Sequence, residues 1–275
     1  MNKTDTITRL APTPSGYLHR GNLLNFILNW LYARKHGGQV WLRIDDLDAD
    51  RAKPEYVEAI FRDLESLGMD WDLGPSGPDD FYKNWSQKHR TDRYVELIKT
   101  LSDKGYTYAC VCSRKTLIEQ GYSGEYPGIC REKKHVFRQD MTALRFNRSS
   151  LEYEVGDPVI LRKDGIPAYH IGSICDDMDF GVTHVFRGSD LKESTLLQTE
   201  IAGAAGLAAF GEIEFQHHPL ILDPQGQKLS KSVGNASGKP DDAIIQDFAV
   251  WMGYSQKETM PQNLSDLLDL PLSII

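Results

Sequence analysis

Apolar positions in the first fifty residues alternate between strand-like runs and one helix-like stripe. Residues 7–11 form a short apolar run that stops at Pro12-Thr13-Pro14-Ser15-Gly16. Those are turn-forming residues, so the pattern predicts a strand feeding a tight turn. Leu23, Phe26, Ile27, Trp30 and Leu31 then recur at helical spacing until Gly37-Gly38. Residues 40–44 predict a second strand, followed by the acidic stretch Asp45-Asp46-Leu47-Asp48. Strand, helix and strand in succession make a βαβ unit, which implies parallel strands and a right-handed crossover.

Farther along, the pattern predicts helices over 54–67 and 90–104, separated by a surface loop at 70–84 rich in Gly, Pro and Asp. Strands are expected at 158–161, 182–186 and 218–222, with a Leu- and Ala-rich helix over 191–205. A loop at 223–238 and short helices after residue 241 complete the chain. Residues 106–150 differ in texture, with clustered cysteines, many Arg and Lys, and few periodic runs. They read as an inserted subdomain, giving the division 1–105, 106–155, 156–240 and 241–275.

Composition narrows the class. With 275 residues, 40% of them hydrophobic and 25% charged, the chain can bury a substantial core without disulfides. The amino terminus lacks the basic start and apolar stretch of a secretory signal, and no apolar run is long enough to cross a bilayer. The expectation is a soluble cytoplasmic protein with no membrane partner. A net charge of −8 argues against bulk adhesion to nucleic acid, so an RNA partner must be recognised through a local site.

Cys110, Cys112 and Cys130 fall close together, while Cys175 is remote. In a reducing compartment such a cluster reads as metal-binding more readily than as disulfide. Buried unliganded thiols are the competing reading. Cys175 is expected to be a packed strand residue.

Two short motifs carry phosphate chemistry. In the first, Arg9-Leu-Ala-Pro-Thr-Pro-Ser-Gly16-Tyr-Leu-His19-Arg-Gly21-Asn22, a strand passes through a tight turn onto a helix start near His19. Helix N-termini offer unpaired N–H groups and a positive dipole end, which suit phosphate. In the second, Lys228-Leu-Ser-Lys231-Ser232, two lysines in a loop form a mobile cationic clamp. Each alone is weak. In this order and at this distance, they resemble the "HIGH" and "KMSKS" signatures of class I aminoacyl-tRNA synthetases. Arg43-Ile-Asp-Asp46, Tyr169-His170 with Asp176-Asp177, and Gly181-Val-Thr-His-Val-Phe-Arg187-Gly-Ser-Asp190 are similar to the glutamyl branch. The resemblance covers most of the chain to about residue 235.

That resemblance implies an α/β fold with a Rossmann-type parallel sheet, as in the class I aminoacyl-tRNA synthetase catalytic domain, carrying an inserted zinc-bearing subdomain. It also implies attack of an amino-acid carboxylate on the α-phosphorus of ATP, with Mg2+ accompanying the nucleotide. His19, Gly21, Asn22 and Lys231 would contact ATP, with His19, Lys228 and Lys231 acting in catalysis. Arg9, Thr13, Asp45, Tyr169 and Arg187 would hold L-glutamate. Two arginines suit a dicarboxylic substrate, because guanidinium pairs well with carboxylate.

Two positions depart from the family pattern. Asp45 stands where the family usually has Glu, and Ser173 where Asn is common. The run of two close cysteines followed by Tyr-x-x-x-Cys is similar to that of glutamyl-queuosine tRNA(Asp) synthetases. By that analogy Cys110, Cys112, Tyr126 and Cys130 hold a structural Zn2+, with Tyr122 and His135 as rivals for the fourth place. The large anticodon-reading region of glutamyl-tRNA synthetases is not found here. The expected acceptor is therefore queuosine in tRNA(Asp), and Arg131, Lys133, Lys134 and Arg138 are expected to contact RNA phosphates. A truncated paralogue charging a tRNA 3′ end or a non-tRNA acceptor is the alternative within enzymes. A non-catalytic RNA- or nucleotide-binding regulator is the alternative outside them.

Overall fold

Strand β1 (Ile7–Leu10) pairs in parallel with β2 (Gln39–Leu42), Ile7 lying opposite Gln39 and Leu10 opposite Leu42; α1 (Arg20–Lys35) connects them. Parallel neighbours need such a crossover, because a short turn cannot bring the chain back in the same direction. The computed structural model describes residues 6–48, 52–151, 156–220, 243–254 and 260–270. Besides the expected apolar stripe of α1, Leu24, Leu28 and Asn29 are buried, so the helix is covered on most sides. The Asn29 amide donates to the Phe186 carbonyl at 3.0 Å and accepts the Phe186 N–H at 3.2 Å. Helix α2 (Pro54–Ser66) starts on a proline, whose missing N–H costs nothing in the first turn. The expected surface loop at 70–84 is more ordered than its composition suggests. It holds α3 (Pro78–Asp80) and a wide turn at Phe81–Trp85 that buries Phe81, while Leu73 bridges in parallel to Trp41 of β2.

The chain divides into two compact units. Met1–Gln87, Gly181–Thr195 and Glu212–Ile275 form the first; Lys88–Phe180 and Leu196–Gly211 form the second. The second contains α4 (Thr91–Asp103), β3 (Thr107–Cys110), α5 (Arg114–Glu119), β4 (Ala143–Phe146), β5 (Val159–Leu161) and α6 (Tyr169–Asp179). Its strands form an antiparallel sheet in the order β3-β4-β5, with a register shift at Leu144/Arg145. Cys175 sits in α6, not in a strand. Ile171, Ile174, Cys175 and Met178 have helical spacing, but Gly172 and the Asp176-Asp177 pair interrupt the pattern and hid it from a reading by period. Asp176 is fully buried and accepts from Arg90 Nε at 2.7 Å and from the Tyr94 hydroxyl at 2.9 Å, which ties α6 to α4.

In the first unit, β6 (His184–Gly188) pairs in parallel with β7 (Glu214–His218). Between them along the chain runs α7 (Lys192–Ala205), of which residues 192–195 belong to the first unit and the rest to the second. Thr183 donates its N–H to the Ile7 carbonyl and receives the Ile7 N–H on its hydroxyl, both at 2.9 Å, which links β6 to β1. The last strand was expected at 218–222; it ends at His218, and residues 221 and 222 lie outside the described residues. The displacement follows from Ile213, Phe215 and His217 alternating with polar residues, a weaker signal than the apolar run at 219–222. α8 (Ile244–Trp251) and α9 (Leu264–Leu268) place Ile244, Ile245, Phe248, Leu264 and Leu267 in the same apolar cluster as α1, β2 and α2. Among the described residues no helix is long and apolar enough to cross a membrane.

Candidate functional site

In open α/β sheets, ligands bind beyond the carboxyl ends of parallel strands. The described sequence-derived residues of the first unit lie at the ends of β1, β2 and β6 or at the start of α1. Arg9 is the third residue of β1, buried, and Thr13 lies exposed in the turn that follows. Past β2, Arg43 N–H reaches the Leu10 carbonyl and Asp45 N–H the Pro12 carbonyl, each at 2.9 Å, so the two strand-end loops run side by side. Asp45 is gripped by its neighbour: Arg43 Nε donates to Oδ1 at 2.6 Å and its terminal nitrogen to Oδ2 at 3.2 Å, with both side chains buried. Asp46 is spent structurally, accepting from the Ser86 hydroxyl and the Gln87 N–H.

His19 is the N-cap of α1. Its Nδ1 accepts the Asn22 N–H at 3.3 Å, and the Asn22 side chain accepts the His19 N–H at 3.2 Å, closing a reciprocal capping box. An accepting Nδ1 puts the proton of a neutral imidazole on Nε2, making that nitrogen a donor. Gly21 is the second residue of the same helix. Lys228 and Lys231 lie outside the described residues.

Arg187, the fourth residue of β6, is buried. Its terminal nitrogen donates to Thr195 Oγ1 at 2.5 Å, and its guanidinium lies 4.7 Å from the centre of the Phe215 ring. Thr195 Oγ1 is also 2.6 Å from His217 Nε2 and 3.1 Å from the Leu191 carbonyl. Burial lowers the His217 pKa, and the charges of Arg187, Lys192 and His218 lower it further. Sequence reasoning passed over Thr195 and His217. The available signal was strand parity, which places Phe215 and His217 on one face of β7.

Tyr169 belongs to the second unit, where it is the first residue of α6 and 40% exposed. Ser173, one turn on, is buried.

The thiols of Cys110, Cys112 and Cys130 converge, with their sulfur atoms all within 4.8 Å of one another. Cys112 and Cys130 are 3.6 Å apart, and the Tyr126 oxygen is 3.3 Å from Cys110 Sγ and 3.8 Å from Cys112 Sγ. A tetrahedral zinc with Zn–S of about 2.3 Å has sulfur–sulfur edges of about 3.8 Å, so this donor set has the right size. The Cys130 N–H donates to the Tyr126 oxygen at 3.0 Å, and the Arg145 guanidinium stacks 3.6 Å from the centre of its ring. Tyr122 and His135 are exposed, and His135 is not in the ligand group. Burial, followed by its hydrogen bond with Cys130, pushes the Cys112 thiol up to about 11. Burial would raise Cys130 too, but hydrogen bonds from Tyr126 and the backbone prevail and lower it.

Beside the cluster lies Asp157, missed in the sequence because a single Asp carries no periodic signal. It is fully buried and accepts from Arg131 at 2.5 and 2.9 Å, from the Tyr108 hydroxyl at 2.5 Å and from the Arg148 N–H at 3.0 Å. Burial alone would raise its pKa; these donors outweigh it and hold the carboxyl below the ordinary range. Arg131, expected to meet RNA phosphate, is thus committed to a buried carboxylate.

Comparison with known proteins places these features. Residues 5–147 and 128–247 match the family described as tRNA synthetases class I (E and Q), catalytic domain. A Pseudomonas fluorescens protein named glutamyl-Q tRNA(Asp) synthetase is 40% identical over an alignment of 242 positions that covers 82% of this chain and 76% of that one. The crystal structure of a glutamate tRNA ligase from Elizabethkingia meningosepticum in complex with its amino acid shares 26% identity. Its TM-score is 0.67, over 82% of this chain and 52% of the ligase. A glutamate–tRNA synthetase from Elizabethkingia anophelis, 24% identical, has the same fold at a TM-score of 0.76, covering 98% of this chain and 66% of that one. The parallel strands with their buried crossover helix fit a class I catalytic fold, and on the family match and the 40% identity the chain belongs to the class I tRNA synthetases (E and Q).

Proposed function

We propose that this protein activates L-glutamate with ATP and transfers the glutamyl group to the queuosine base in the anticodon of tRNA(Asp). In the first step a glutamate α-carboxylate oxygen bonds to the α-phosphorus of ATP as the bond to the leaving pyrophosphate breaks. In the second, an acceptor hydroxyl attacks the acyl carbon and AMP departs. Such chemistry depends on positioning and on stabilising charge more than on covalent help from the protein.

The observation that carries the reading is the set of groups at the carboxyl ends of β1, β2 and β6. Arg9 and Arg187 are the carboxylate donors, Asp45 held by Arg43 is the acceptor for the substrate ammonium, and His19, with Nε2–H left as a donor at the start of α1, is assigned to the phosphates. Thr13 adds a hydrogen bond, Gly21 and Asn22 are assigned to the ATP side, Tyr169 is assigned to glutamate on its motif alone, and Mg2+ arrives with the nucleotide. Lys228 and Lys231 are assigned to the departing pyrophosphate on their motif alone. The queuosine acceptor rests on relatives that bear the name glutamyl-Q tRNA(Asp) synthetase. Cys110, Cys112, Cys130 and Tyr126 would hold a zinc ion, which supplies a structural cross-link and takes no part in the reaction.

Glutamate-dependent exchange of pyrophosphate into ATP tests the first step, and it is expected without added tRNA. The acceptor is tested by loading labelled glutamate onto tRNA(Asp) with its 3′ adenosine removed. Label retained only on queuosine-bearing RNA is the expected result; label confined to intact 3′ ends would remove the queuosine assignment.

A further inference from the structure

Arg187 is the candidate ligand for a substrate carboxylate, and a guanidinium on a long side chain is useful only if something fixes its plane. Arg187 and His217 are register partners on the paired strands β6 and β7, and paired residues of a parallel ladder project to the same face. Thr195, in the first turn of α7, places its hydroxyl between them. A hydroxyl has one proton to give and two lone pairs to receive. All three are used if Arg187 and His217 Nε2–H both donate to Thr195 Oγ1 while its proton goes to the Leu191 carbonyl. Burial and the neighbouring Arg187 charge lower the His217 pKa, which favours the neutral imidazole over a second cation beside Arg187. Phe215, two residues before His217 on the same face of β7, lies against the guanidinium.

We infer that Thr195 and His217 are positioning residues for amino-acid recognition, a locked hydrogen-bonded relay that sets the Arg187 guanidinium for the substrate carboxylate. This rests on the reading of Arg187 as a glutamate ligand, and the two can be separated experimentally. In pyrophosphate exchange, Thr195→Val should raise the KM for glutamate about tenfold, the weight of one charge-assisted hydrogen bond. Both kcat and the KM for ATP should stay within about twofold. Thr195→Ser, which keeps the hydroxyl, should restore the glutamate KM. His217→Phe should move it in the same direction, and the double variant should be no worse than the worse single, because members of one network are not additive.

An unchanged glutamate KM in Thr195→Val, with Arg187→Ala still raising it, overturns the relay and leaves the pocket standing. If Arg187→Ala is also without effect, the pocket reading falls as well. A rise in both substrates' KM together with a lower kcat, shared by Thr195→Ser, would indicate a structural role and overturns the relay too.

Discussion

In the first unit, side chains from β1, β2, β6, α1, α2, α8 and α9 merge into one extended apolar cluster, whereas the buried cluster around the cysteines of the second unit is Cys110, Tyr126 and Cys130. The first can therefore carry polar groups at the ends of its strands, because burial of apolar area at roughly 25 cal/mol per Å2 supports the frame around them. Among its described residues, segment 106–155 buries little more apolar surface than this, chiefly Ala109, Ala143 and Phe146. Its strands β3 and β4 are held by a knot of thiols and by Asp157, which draws Arg131, Tyr108 and the Arg148 backbone to one point. A small region without a large core needs staples, and here they are polar.

The sharpest way to break this contrast is to remove the proposed metal. Chelation, or Cys110→Ser, should unfold the segment around the cysteines while the first unit keeps its structure. Structural zinc supplies folding free energy on the order of 10 kcal/mol in small domains. Hydrogen exchange resolved by peptide should show lost protection in β3, α5 and β4 with β1, α1 and β2 unchanged, and metal analysis should show loss of one equivalent of zinc. Uniform protection after complete metal removal would make the thiols a simple buried cluster.

A smaller effect is expected from Asp157→Ala, which leaves Arg131 and the Tyr108 hydroxyl without their buried acceptor. Breaking one side of a buried ion pair typically costs about 3–5 kcal/mol. Urea denaturation followed in the second unit should move by that order. A change under about 1 kcal/mol would mean that solvent replaces the carboxylate and the hub is not a staple.

The first unit should show the reverse behaviour at Asp63, a buried carboxylate in α2 whose pKa is raised to about 6, chiefly by burial and against the pull of Arg62. A raised folded-state pKa favours the protonated form, so stability is greatest below the usual carboxylate value near 4 and declines as pH rises through 6. Asp63→Asn should thus stabilise the protein by about 1–3 kcal/mol at pH 8, with the gain vanishing below about pH 4. Melting curves at the two pH values check it; equal effects at both would refute the linkage.

Much of the first unit could be read from the chain because its core follows a period. Leu23, Phe26, Ile27, Trp30 and Leu31 gave α1, and the run after Gly38 gave β2. The capped start at His19 was legible for the same reason, since turn residues ahead of an apolar stripe mark a helix N-terminus. β3 and β4 escaped notice because each is four residues long and mixes polar with apolar positions. Helix α6 escaped because buried charge stands where period-based reasoning expects apolar side chains. The cysteine cluster was legible as residue types at close spacing, and Tyr126 entered by analogy.

The sequence by itself determined the βαβ start, the convergence of Cys110, Cys112 and Cys130 as a candidate metal group, and the placement of Arg9 and Asp45 at strand ends. Each depends on residues near one another along the chain, where period and turn chemistry act. Tertiary structure alone decided which groups hold the candidate site residues and the buried polar ties of the fold. The clamp of Arg43 on Asp45, the tie of Asn29 to Phe186, the collection of Arg131 and Tyr108 by Asp157, and the link from His217 through Thr195 to Arg187 belong to this class. A side-chain hydrogen bond is set by angles and distances of a few ångströms, and only the packed backbone brings residues such as Asn29 and Phe186 that close.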